Sequence, residues 1–417
     1  MINMYGLLGE KLSHSFSVDI HQILNPSISY NLYETRDLET FFSTAVFEGL
    51  NVTHPYKEAV IPLLDKLDAS SIKTNAVNTI IKTGHHLIGY NTDYMALKHL
   101  FSTTLKNAKK ASFGILGNGA TMRSIKHALY DLNHDNITVY ARNPQLGEKP
   151  LECLEDKHDY LINATPVGMY PHNDQTIADK IKSFKNITIA MDLIYNPLRS
   201  NFLLNAKQMG AKIINGLPLL FLQAAYAQKI WELCAFPTDW QKRTEFLEKQ
   251  LENIVLIGMP FSGKSHYGYL LEKMMQKKFV DIDRLIEEKA HTDITTIIKT
   301  SGEETFRALE HETTIKAAKR HRQIIATGGG IIQNKMAMQI LKQNGLIVWL
   351  DVSDNLAESK KLDTRPLLDS FKDWQITKKR RYHNYKAYAD IIIEKNTEDE
   401  TIILNRLKEA LDGYFGH

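Results

Sequence analysis

The chain has 417 residues, of which 43% are apolar and 24% charged, a composition typical of globular proteins with two or three domains. A net charge of +3 without a clustered basic face does not indicate nucleic acid as a partner. The sequence contains no run of about 18 apolar residues, the length that a membrane span needs, and the N-terminus lacks a signal-peptide pattern. Cys153 and Cys234 lie far apart and predict neither a disulfide framework nor a zinc site. We therefore expect a cytoplasmic protein that acts on small molecules, with no membrane partner.

Short apolar runs alternate with helical stretches through most of the chain, which predicts α/β layers. Several runs are continuously apolar, as in parallel strands that are buried on both faces. The segment PLLFLQAAYAQKIWEL predicts an amphipathic helix with Pro218 in its first turn, and the charged segment 235–253 predicts a semi-rigid connector. The predicted strands are MYGLLG, GLNVT, AVNTII, SFGILG, ITVYAR, YLINAT, ITIAMDLI, NIVLIG, QIIATG and LIVWLDV.

Two polar strand ends near the N-terminus carry a lysine and an aspartate, Lys57 in GLNVTHPYKEAV and Asp93 in IGYNTD. Reduction of a carbonyl by hydride creates an alkoxide that must be protonated, and a lysine beside an aspartate can supply that proton. The alternative is a surface lysine and an aspartate that caps a helix.

The motif GILGNGATMRSI follows a predicted strand and opens a helix, so it is a weak relative of the dinucleotide-binding fingerprint. The next strand, ITVYAR, ends at Arg142 and carries no acid there. An arginine at this place suits the additional phosphate of NADP, whereas an acid would suit NAD. The alternatives are an ordinary strand-to-helix turn and a surface arginine.

Seven ordered motifs, LSHSFSVDIH, NVTHPYKEA, AVNTI, GYNTD, NATPVGM, DLIYNP and QAAYAQKIW, resemble those of shikimate dehydrogenases over about residues 3–236. The resemblance implies that Lys57 and Asp93 are the catalytic pair. It implies substrate contacts from side chains that suit a polyhydroxylated ring acid: Ser15, Ser17, Thr53, Asn78, Asp93, Tyr195 and Gln223, with Asn51 and Asn91 nearby. It implies NADP contacts from Gly117, Asn118, Gly119, Ala120, Arg142, Thr165 and Gly216. The GNGAT loop, Asn143 and Pro144 depart from the family pattern, which bears on cofactor preference.

The stretch GMPFSGKSH contains a phosphate-binding loop between a predicted strand and a predicted helix. Backbone N–H groups of such a loop hold phosphate oxygens, Lys264 would reach the β- and γ-phosphates, and Ser265 would bind Mg²⁺. Phe261 stands where such loops often have glycine. Its effect depends on whether that position needs a positive φ angle.

Further polar motifs follow the phosphate loop. Asp281 and Asp283 lie two residues apart at the end of a predicted strand, so we expect them on one face, where they can bind Mg²⁺ and accept a hydroxyl proton. The alternative interpretation is that the two aspartates are an acidic pair at the N-terminus of a helix, where they stabilise the helix dipole. Arg307 and Arg381 can capture a carboxylate or phosphate, or can be solvated surface residues. TGGG at 327–330 permits close approach to a ligand, or is a plain loop.

These motifs together resemble shikimate kinases over residues 253–417. The resemblance implies that Asp283 binds the substrate and serves as the base, that Lys264 is catalytic, and that Asp281 and Ser265 hold Mg²⁺. It implies ATP contacts from Gly258, Ser262, Gly263, Lys264, Ser265 and Arg365. It implies substrate contacts from Asp283, Arg307, Gly328, Gly329, Gly330 and Arg381, the last with Tyr385. Phe261 and His266 replace a glycine and a threonine that are common in the family, and we expect the loop to work with both.

Together the two resemblances predict an α/β chain with two domains and a linker. The dehydrogenase-like domain (1–236) consists of a substrate-binding α/β subdomain (1–100 and 217–236) and a Rossmann-type NADP subdomain (101–216). A linker (237–252) leads to a P-loop kinase domain that resembles nucleoside monophosphate kinases (253–417). The expected function is NADPH-dependent reduction of 3-dehydroshikimate, followed by phosphorylation of shikimate with ATP and Mg²⁺. One alternative is an NAD-linked quinate/shikimate dehydrogenase fused to a kinase, against which Arg142 argues. Another is a dehydrogenase joined to a non-catalytic sensor or scaffold, against which the full kinase motif set argues.

Overall fold

A computed structural model describes residues 5–12, 16–105, 110–154, 157–177, 179, 181, 186–359 and 370–416. The chain divides into two compact units. Unit one consists of Met1–Val167, Ile177–Tyr195 and Phe202–Glu245, and unit two of Gly168–Thr176, Asn196–Asn201 and Phe246–His417. Within the described ranges, no helix is both long and apolar enough to cross a bilayer.

The first sheet of unit one has six strands: Tyr5–Gly9 (β1), Tyr30–Glu34 (β2), Gly49–Val52 (β3), Lys66–Leu67 (β4), Thr79–Thr83 (β5) and His86–Tyr90 (β6). Their order is β2-β1-β3-β5-β6-β4. Strand β1 pairs in parallel with β2 and β3, whereas β5 runs antiparallel to β3 and β6. The accompanying helices are Ser17–Leu24 (α1), Leu38–Thr44 (α2), Ala69–Thr74 (α3) and Thr92–Thr104 (α4).

The second sheet of unit one is entirely parallel. Its strands are Phe113–Leu116 (β7), Ile137–Ala141 (β8), Lys149–Pro150 (β9), Tyr160–Asn163 (β10), Ile189–Asp192 (β11) and Lys212–Ile214 (β12). Their order, β12-β11-β10-β7-β8-β9, reverses between β7 and β10, which is the strand order of a dinucleotide-binding Rossmann sheet. The helices are Ala120–Tyr130 (α5), Asn201–Gln208 (α6) and Leu217–Ile230 (α7).

Helix α7 differs from the amphipathic helix that its sequence predicts. Pro218 does lie in its first turn, but most of its side chains are buried, including the polar Gln223 and Gln228. The helix packs against both α1 and α4. A helix that is covered on more than one side needs no polar face, so its sequence reads as apolar nearly all round.

The sheet of unit two has five parallel strands: Asn253–Ile257 (β13), Lys278–Asp281 (β14), Gln323–Ala326 (β15), Gly345–Val352 (β16) and Ile391–Lys395 (β17). Their order is β14-β15-β13-β16-β17, so the strand that enters the phosphate loop is central. The helices are Trp240–Leu251 (α8), Lys264–Met275 (α9), Ile282–Ala290 (α10), Ile294–Ala318 (α11), Lys335–Asn344 (α12), Asp354–Glu358 (α13), Phe371–Tyr388 (α14) and Glu400–Phe415 (α15). Gly302 kinks α11 with φ +84°.

The predicted connector is a helix, α8, and the division between the units falls inside it, between Glu245 and Phe246. In unit two, the C-terminal end of this helix is held by Lys277, which donates to the carbonyls of Lys249, Gln250 and Glu252 at 2.7–3.1 Å. Burial lowers the pKa of Lys277 to about 8.

Each predicted strand overlaps a described one, and the three sheets confirm the predicted α/β class. One local prediction is wrong. Asp281 and Asp283 do not share a strand face, because the strand ends at Asp281 and Asp283 lies in the first turn of α10. Asp281 is the last residue of the strand and also the N-cap of the helix, because its carboxylate accepts a hydrogen bond from the Arg284 N–H at 3.3 Å.

Candidate active sites

Lys57 and Asp93 come together in unit one, with Nζ donating to Oδ2 at 2.5 Å. Lys57 lies in the turn after β3, where its carbonyl accepts from the Val77 N–H at 2.8 Å. Asp93 lies in the first turn of α4, a helix that Asn91 caps by accepting from the Tyr94 N–H at 3.0 Å. Their side chains keep 24% and 16% of their surface exposed, so a ligand can reach the pair.

Buried amides fix the backbone around this pair. Asn78 Oδ1 accepts from the Thr92 N–H at 2.6 Å and from its hydroxyl at 3.1 Å, which joins the start of β5 to the start of α4. Asn51 Nδ2 donates to Thr79 Oγ1 at 3.0 Å, and its Oδ1 accepts from the Tyr30 hydroxyl at 2.8 Å. In the described part of the chain the Asn78 Nδ2 donates no hydrogen bond, so it is available to a ligand.

The other predicted substrate residues are more dispersed. Ser17 is buried at the start of α1, and its neighbour Phe16 packs against Tyr195 with ring centroids 5.4 Å apart. Thr53 follows β3 and donates its N–H to the Leu8 carbonyl at 2.9 Å. Gln223 donates to the Leu220 carbonyl in its own helix, and among the described residues no hydrogen bond joins it to the lysine–aspartate pair. Ser15 lies outside the described residues.

His21, which the sequence did not single out, supports this region from α1. Its ring is fully buried and stacks on Tyr30 with centroids 4.0 Å apart and planes at 14°. The Gln228 side chain donates to the His21 carbonyl at 2.8 Å. Burial lowers the pKa of His21 to about 3, so the ring is neutral in the folded protein near pH 7.

The residues after β7 form a turn that fits a dinucleotide phosphate. Gly117 has φ +102°, and a Cβ there would lie 2.9 Å from Thr165 Cγ2, so the turn requires glycine. Gly119 is the N-cap of α5, which begins at Ala120. The backbone N–H groups of the first turn of a helix can bind an anion. The Thr165 hydroxyl donates to Asn163 Oδ1 at 2.7 Å, which holds it beside Gly117.

Two further cofactor predictions flank this turn. Arg142 follows directly after β8 and is exposed. Gly216 caps α7 and donates its N–H to the Ile194 carbonyl at 2.9 Å. Asn118 does not point freely to solvent: its Nδ2 donates to the Asn143 carbonyl at 3.1 Å and to Glu148 Oε2 at 2.9 Å. Sequence reasoning missed Glu148, because it lies six residues beyond Arg142 and outside any motif.

The phosphate loop of unit two lies between β13 and α9, as its motif predicts. Lys264 Nζ donates to the carbonyls of Gly258 at 2.9 Å and Met259 at 3.2 Å, and thereby spans the loop. Ser262 is buried beneath the loop, whereas Ser265 is exposed in the first turn of α9. Gly263 caps α9 with φ +87°.

Phe261 also adopts the left-handed region, with φ +73°. For a bulky residue this conformation costs about 1–2 kcal/mol, whereas glycine adopts it freely. The ring compensates in part, because it packs against the larger hydrophobic core of unit two. The loop therefore needs a positive φ angle where this chain has phenylalanine.

Carboxylates and glycines meet at the end of β15. A Cβ at Gly328 would lie 3.0 Å from Asp283 Oδ1 and would collide with Glu310 Oε1. Asp283 is thus beside the glycine turn, although it belongs to a helix. Glu310 is only 2% exposed. It was not singled out from the sequence, although residues three apart on a helix, such as Arg307 and Glu310, can pair.

Two arginines line the same turn. Arg307 Nη1 donates to Glu310 Oε2 at 2.7 Å, and a Cβ at Gly330 would collide with its guanidinium. Arg381 Nη1 and the Tyr385 hydroxyl both donate to the Gly329 carbonyl at 2.9 Å. Burial, with the nearby charge of Arg307, lowers the pKa of Arg381.

The site fits a magnesium–nucleotide better than a resident metal. Among the described residues no group of three or more histidines, cysteines, aspartates or glutamates could hold an ion. Mg²⁺ is commonly held by one or two protein oxygens together with substrate phosphates and water. Ser265 and Asp281 are the candidate protein ligands, and Arg365 lies outside the described residues.

Comparisons with known proteins agree with both halves. A family model for the "Shikimate dehydrogenase substrate binding domain" matches residues 7–80, and one for "Shikimate kinase" matches residues 260–412. The NADP(+) shikimate dehydrogenase of Clostridium perfringens strain 13 is 35% identical over 251 residues, which are 55% of this chain and 92% of that protein. That of Methanococcus maripaludis strain S2 is 31% identical over 255 residues, 55% of this chain and 91% of its own.

A solved chorismate mutase/shikimate 5-dehydrogenase fusion protein from Clostridium acetobutylicum is also similar. It is 32% identical, with a TM-score of 0.53, and the match covers 60% of this chain and 98% of that one. The two family models match separate parts of one sequence. The chain therefore belongs to the shikimate dehydrogenase family and carries a shikimate kinase domain in its C-terminal part.

Proposed function

We propose that the chain is a bifunctional enzyme that reduces 3-dehydroshikimate to shikimate with NADPH and then phosphorylates shikimate to shikimate 3-phosphate with ATP. The observation that carries the proposal is the ion pair of Lys57 and Asp93 in a chain whose second unit has a glycine turn next to both Asp283 and the phosphate loop. The names of the dehydrogenase relatives support NADP as the cofactor.

In the reductase half, Lys57 is positioned to donate a proton to the oxygen of the substrate carbonyl. NADPH supplies the hydride when it is bound. Asp93 keeps the ammonium group oriented before the transfer, because it accepts a hydrogen bond from Nζ at 2.5 Å. Asn78, whose Nδ2 is available, binds a ring hydroxyl, as do Ser15, Ser17, Thr53, Tyr195 and Gln223 in this proposal. Gly117, Gly119 and the N-terminus of α5 would hold the cofactor pyrophosphate, and Arg142 would bind the additional phosphate of NADP.

In the kinase half, Asp283 accepts the proton of the attacking substrate hydroxyl. Lys264 and the backbone of the phosphate loop neutralise the charge on the transferred phosphoryl group. Ser265 and Asp281 would hold Mg²⁺, which would supply further positive charge there. Phosphoryl transfer depends mainly on such positioning and charge neutralisation, and the loop residues that supply them are present.

The substrate carboxylate is held by Arg307 and Arg381 in this proposal. Both guanidinium groups lie at the glycine turn, and only Arg307 has a carboxylate partner among the described residues. A carboxylate placed between them would add the missing negative charge, and arginine binds carboxylates in a bidentate manner. The combination favours a ring acid over a neutral sugar as the phosphoryl acceptor.

Two separate assays on the purified chain test the proposal. NADPH oxidation should depend on 3-dehydroshikimate, and ADP release should depend on shikimate and Mg²⁺. Quinate serves as the competing substrate in the first assay, and a neutral cyclitol without a carboxylate in the second. Turnover of quinate and NAD⁺ in preference to shikimate and NADP⁺ would overturn the reductase assignment. ADP release that does not depend on shikimate would overturn the kinase assignment.

We also propose a cytoplasmic location. Both cysteines are free, which suits a reducing compartment.

A further inference from the structure

The strand end that decides between NADP and NAD carries two opposite charges in this chain. In Rossmann sheets the adenosine ribose lies at the end of the second strand, which is β8 here. The loop that follows, RNPQLGE at 142–148, begins with Arg142 and ends with Glu148. It contains one cation and one anion, so its formal charge is zero.

Glu148 is fixed in this loop by two hydrogen bonds. Its Oε2 accepts from the Gln145 N–H at 2.8 Å and from Asn118 Nδ2 at 2.9 Å. Asn118 lies between Gly117 and Gly119, in the turn that fits the pyrophosphate. The same Asn118 nitrogen donates to the carbonyl of Asn143, the residue after Arg142, at 3.1 Å. The Glu148 carboxylate is therefore held between the pyrophosphate turn and the start of the loop.

We infer that Glu148 is a specificity-determining residue that reduces the preference of the dehydrogenase for NADP over NAD. Its negative charge opposes the 2′-phosphate of NADP, which Arg142 attracts. The ribose 2′-hydroxyl of NAD carries no charge and is not opposed in this way. The inference rests on the proposed function, because it presumes that the cofactor binds on this sheet.

Cofactor binding by the full chain, followed by nicotinamide fluorescence, tests this without turnover. We expect the Glu148→Gln variant to bind NADPH at least about fivefold more tightly, with the NADH dissociation constant changed less than about twofold. Gln retains an acceptor oxygen for Asn118, so the loop contacts persist. Added salt should shrink the difference between the variant and the wild type, because it screens the repulsion. Glu152→Gln, which removes an exposed charge just beyond the loop, is the matched control and should leave both constants unchanged.

The outcomes separate this inference from the proposed function. If Glu148→Gln weakens or strengthens both cofactors equally, or changes neither, Glu148 only supports the loop and the inference is wrong while the reductase assignment stands. If the wild-type chain binds neither NADPH nor NADH, both the inference and the reductase assignment are wrong.

Discussion

Lys57 Nζ and Asp93 Oδ2 lie 2.5 Å apart, although 36 residues separate them in the chain. The turn after β3 supplies one partner and the first turn of α4 supplies the other. A pair assembled from two elements in this way and open to a ligand is suited to proton transfer.

Replacing the lysine should silence one activity only. We expect Lys57→Met to lower kcat for 3-dehydroshikimate reduction by about 100-fold or more, because general acid catalysis typically contributes that much. Kinase activity in the same sample should be unchanged. Lys66→Met, which removes an exposed lysine from the same sheet, is the control and should retain reductase activity. Loss of both activities in a folded Lys57→Met protein would contradict independent sites.

The converse change lies in unit two. Asp283→Asn should lower the kinase kcat by about 100-fold or more, because the proposed base is lost, and should spare the reductase. Glu288→Gln, an exposed position of the same helix, should leave both activities intact. Initial-rate assays of both reactions decide the matter. If the Asp283→Asn variant phosphorylates shikimate at the wild-type rate, another group must be the base.

Glu310 should govern how well Arg307 binds the substrate carboxylate. The Glu310→Gln variant removes the buried carboxylate that accepts from Arg307 Nη1 and so weakens the contact that holds this guanidinium beside Gly330. We expect the shikimate KM to rise about tenfold with a smaller change in kcat, because Arg307 loses the charged hydrogen bond, of about 1.5–3 kcal/mol, that orients its guanidinium for bidentate binding of the substrate carboxylate.

The matched control for this change is Glu303→Gln. Glu303 also pairs with Arg307, at 3.1 Å, but is more than half exposed, and exposed pairs contribute about 0–1 kcal/mol. Equal effects of the two substitutions on KM would show that burial of Glu310 has no special role.

Phe261 allows backbone strain to be measured directly. Phe261→Gly and Phe261→Ala both remove the ring that packs on the core, but only glycine relieves the positive φ angle. We therefore expect the free energy of unfolding in denaturant to be about 1 kcal/mol higher for Phe261→Gly than for Phe261→Ala. At most positions alanine is the more stabilising of the two residues. Both variants should retain kinase activity. A less stable glycine variant would show that the strain is negligible.

His21 should make the stability of unit one depend on pH. Its pKa is about 3 in the folded protein and about 6.5 when unfolded, so its contribution is complete above pH 6.5 and declines as the pH falls towards 3. At pH 5 the loss is about 2 kcal/mol. His21→Phe keeps an aromatic ring for the stack on Tyr30 and should remove this part of the pH dependence.

Unfolding measured between pH 7 and 5 provides the comparison, with exposed His85→Gln as the control. A pH dependence that is identical in wild type and His21→Phe would exclude this histidine as its source.

The sequence predicted the strands that are apolar and buried and missed those that are very short or half exposed. Strand β2, YNLYE, is largely exposed and lacks an apolar run, and β4 and β9 have two residues each. Their pairing depends on neighbouring strands that lie far away in sequence, which local patterns do not contain.

Site residues inside motifs were found more readily than those outside. Gly117, Lys264 and Arg381 belong to recognisable motifs, and each lies beside the residues that the motif implies. Glu148 acts through a tertiary contact with Asn118, which only the folded chain brings together, whereas Glu310 pairs with Arg307 within one helix and could have been inferred from their spacing. Asp283 was expected on a strand and lies in a helix, because Asp281 caps that helix, which is the alternative that the sequence left open.

Product analysis of a single coupled reaction tests the bifunctional assignment most directly. The purified full chain is incubated with 3-dehydroshikimate, NADPH, ATP and Mg²⁺, and the products are identified by mass spectrometry. Shikimate 3-phosphate should form with one NADPH oxidised and one ATP consumed per product. It should be absent with either Lys57→Met or Asp283→Asn alone and should return when the two variants are mixed. Accumulation of unphosphorylated shikimate by the wild-type chain, or no consumption of 3-dehydroshikimate, would contradict the account.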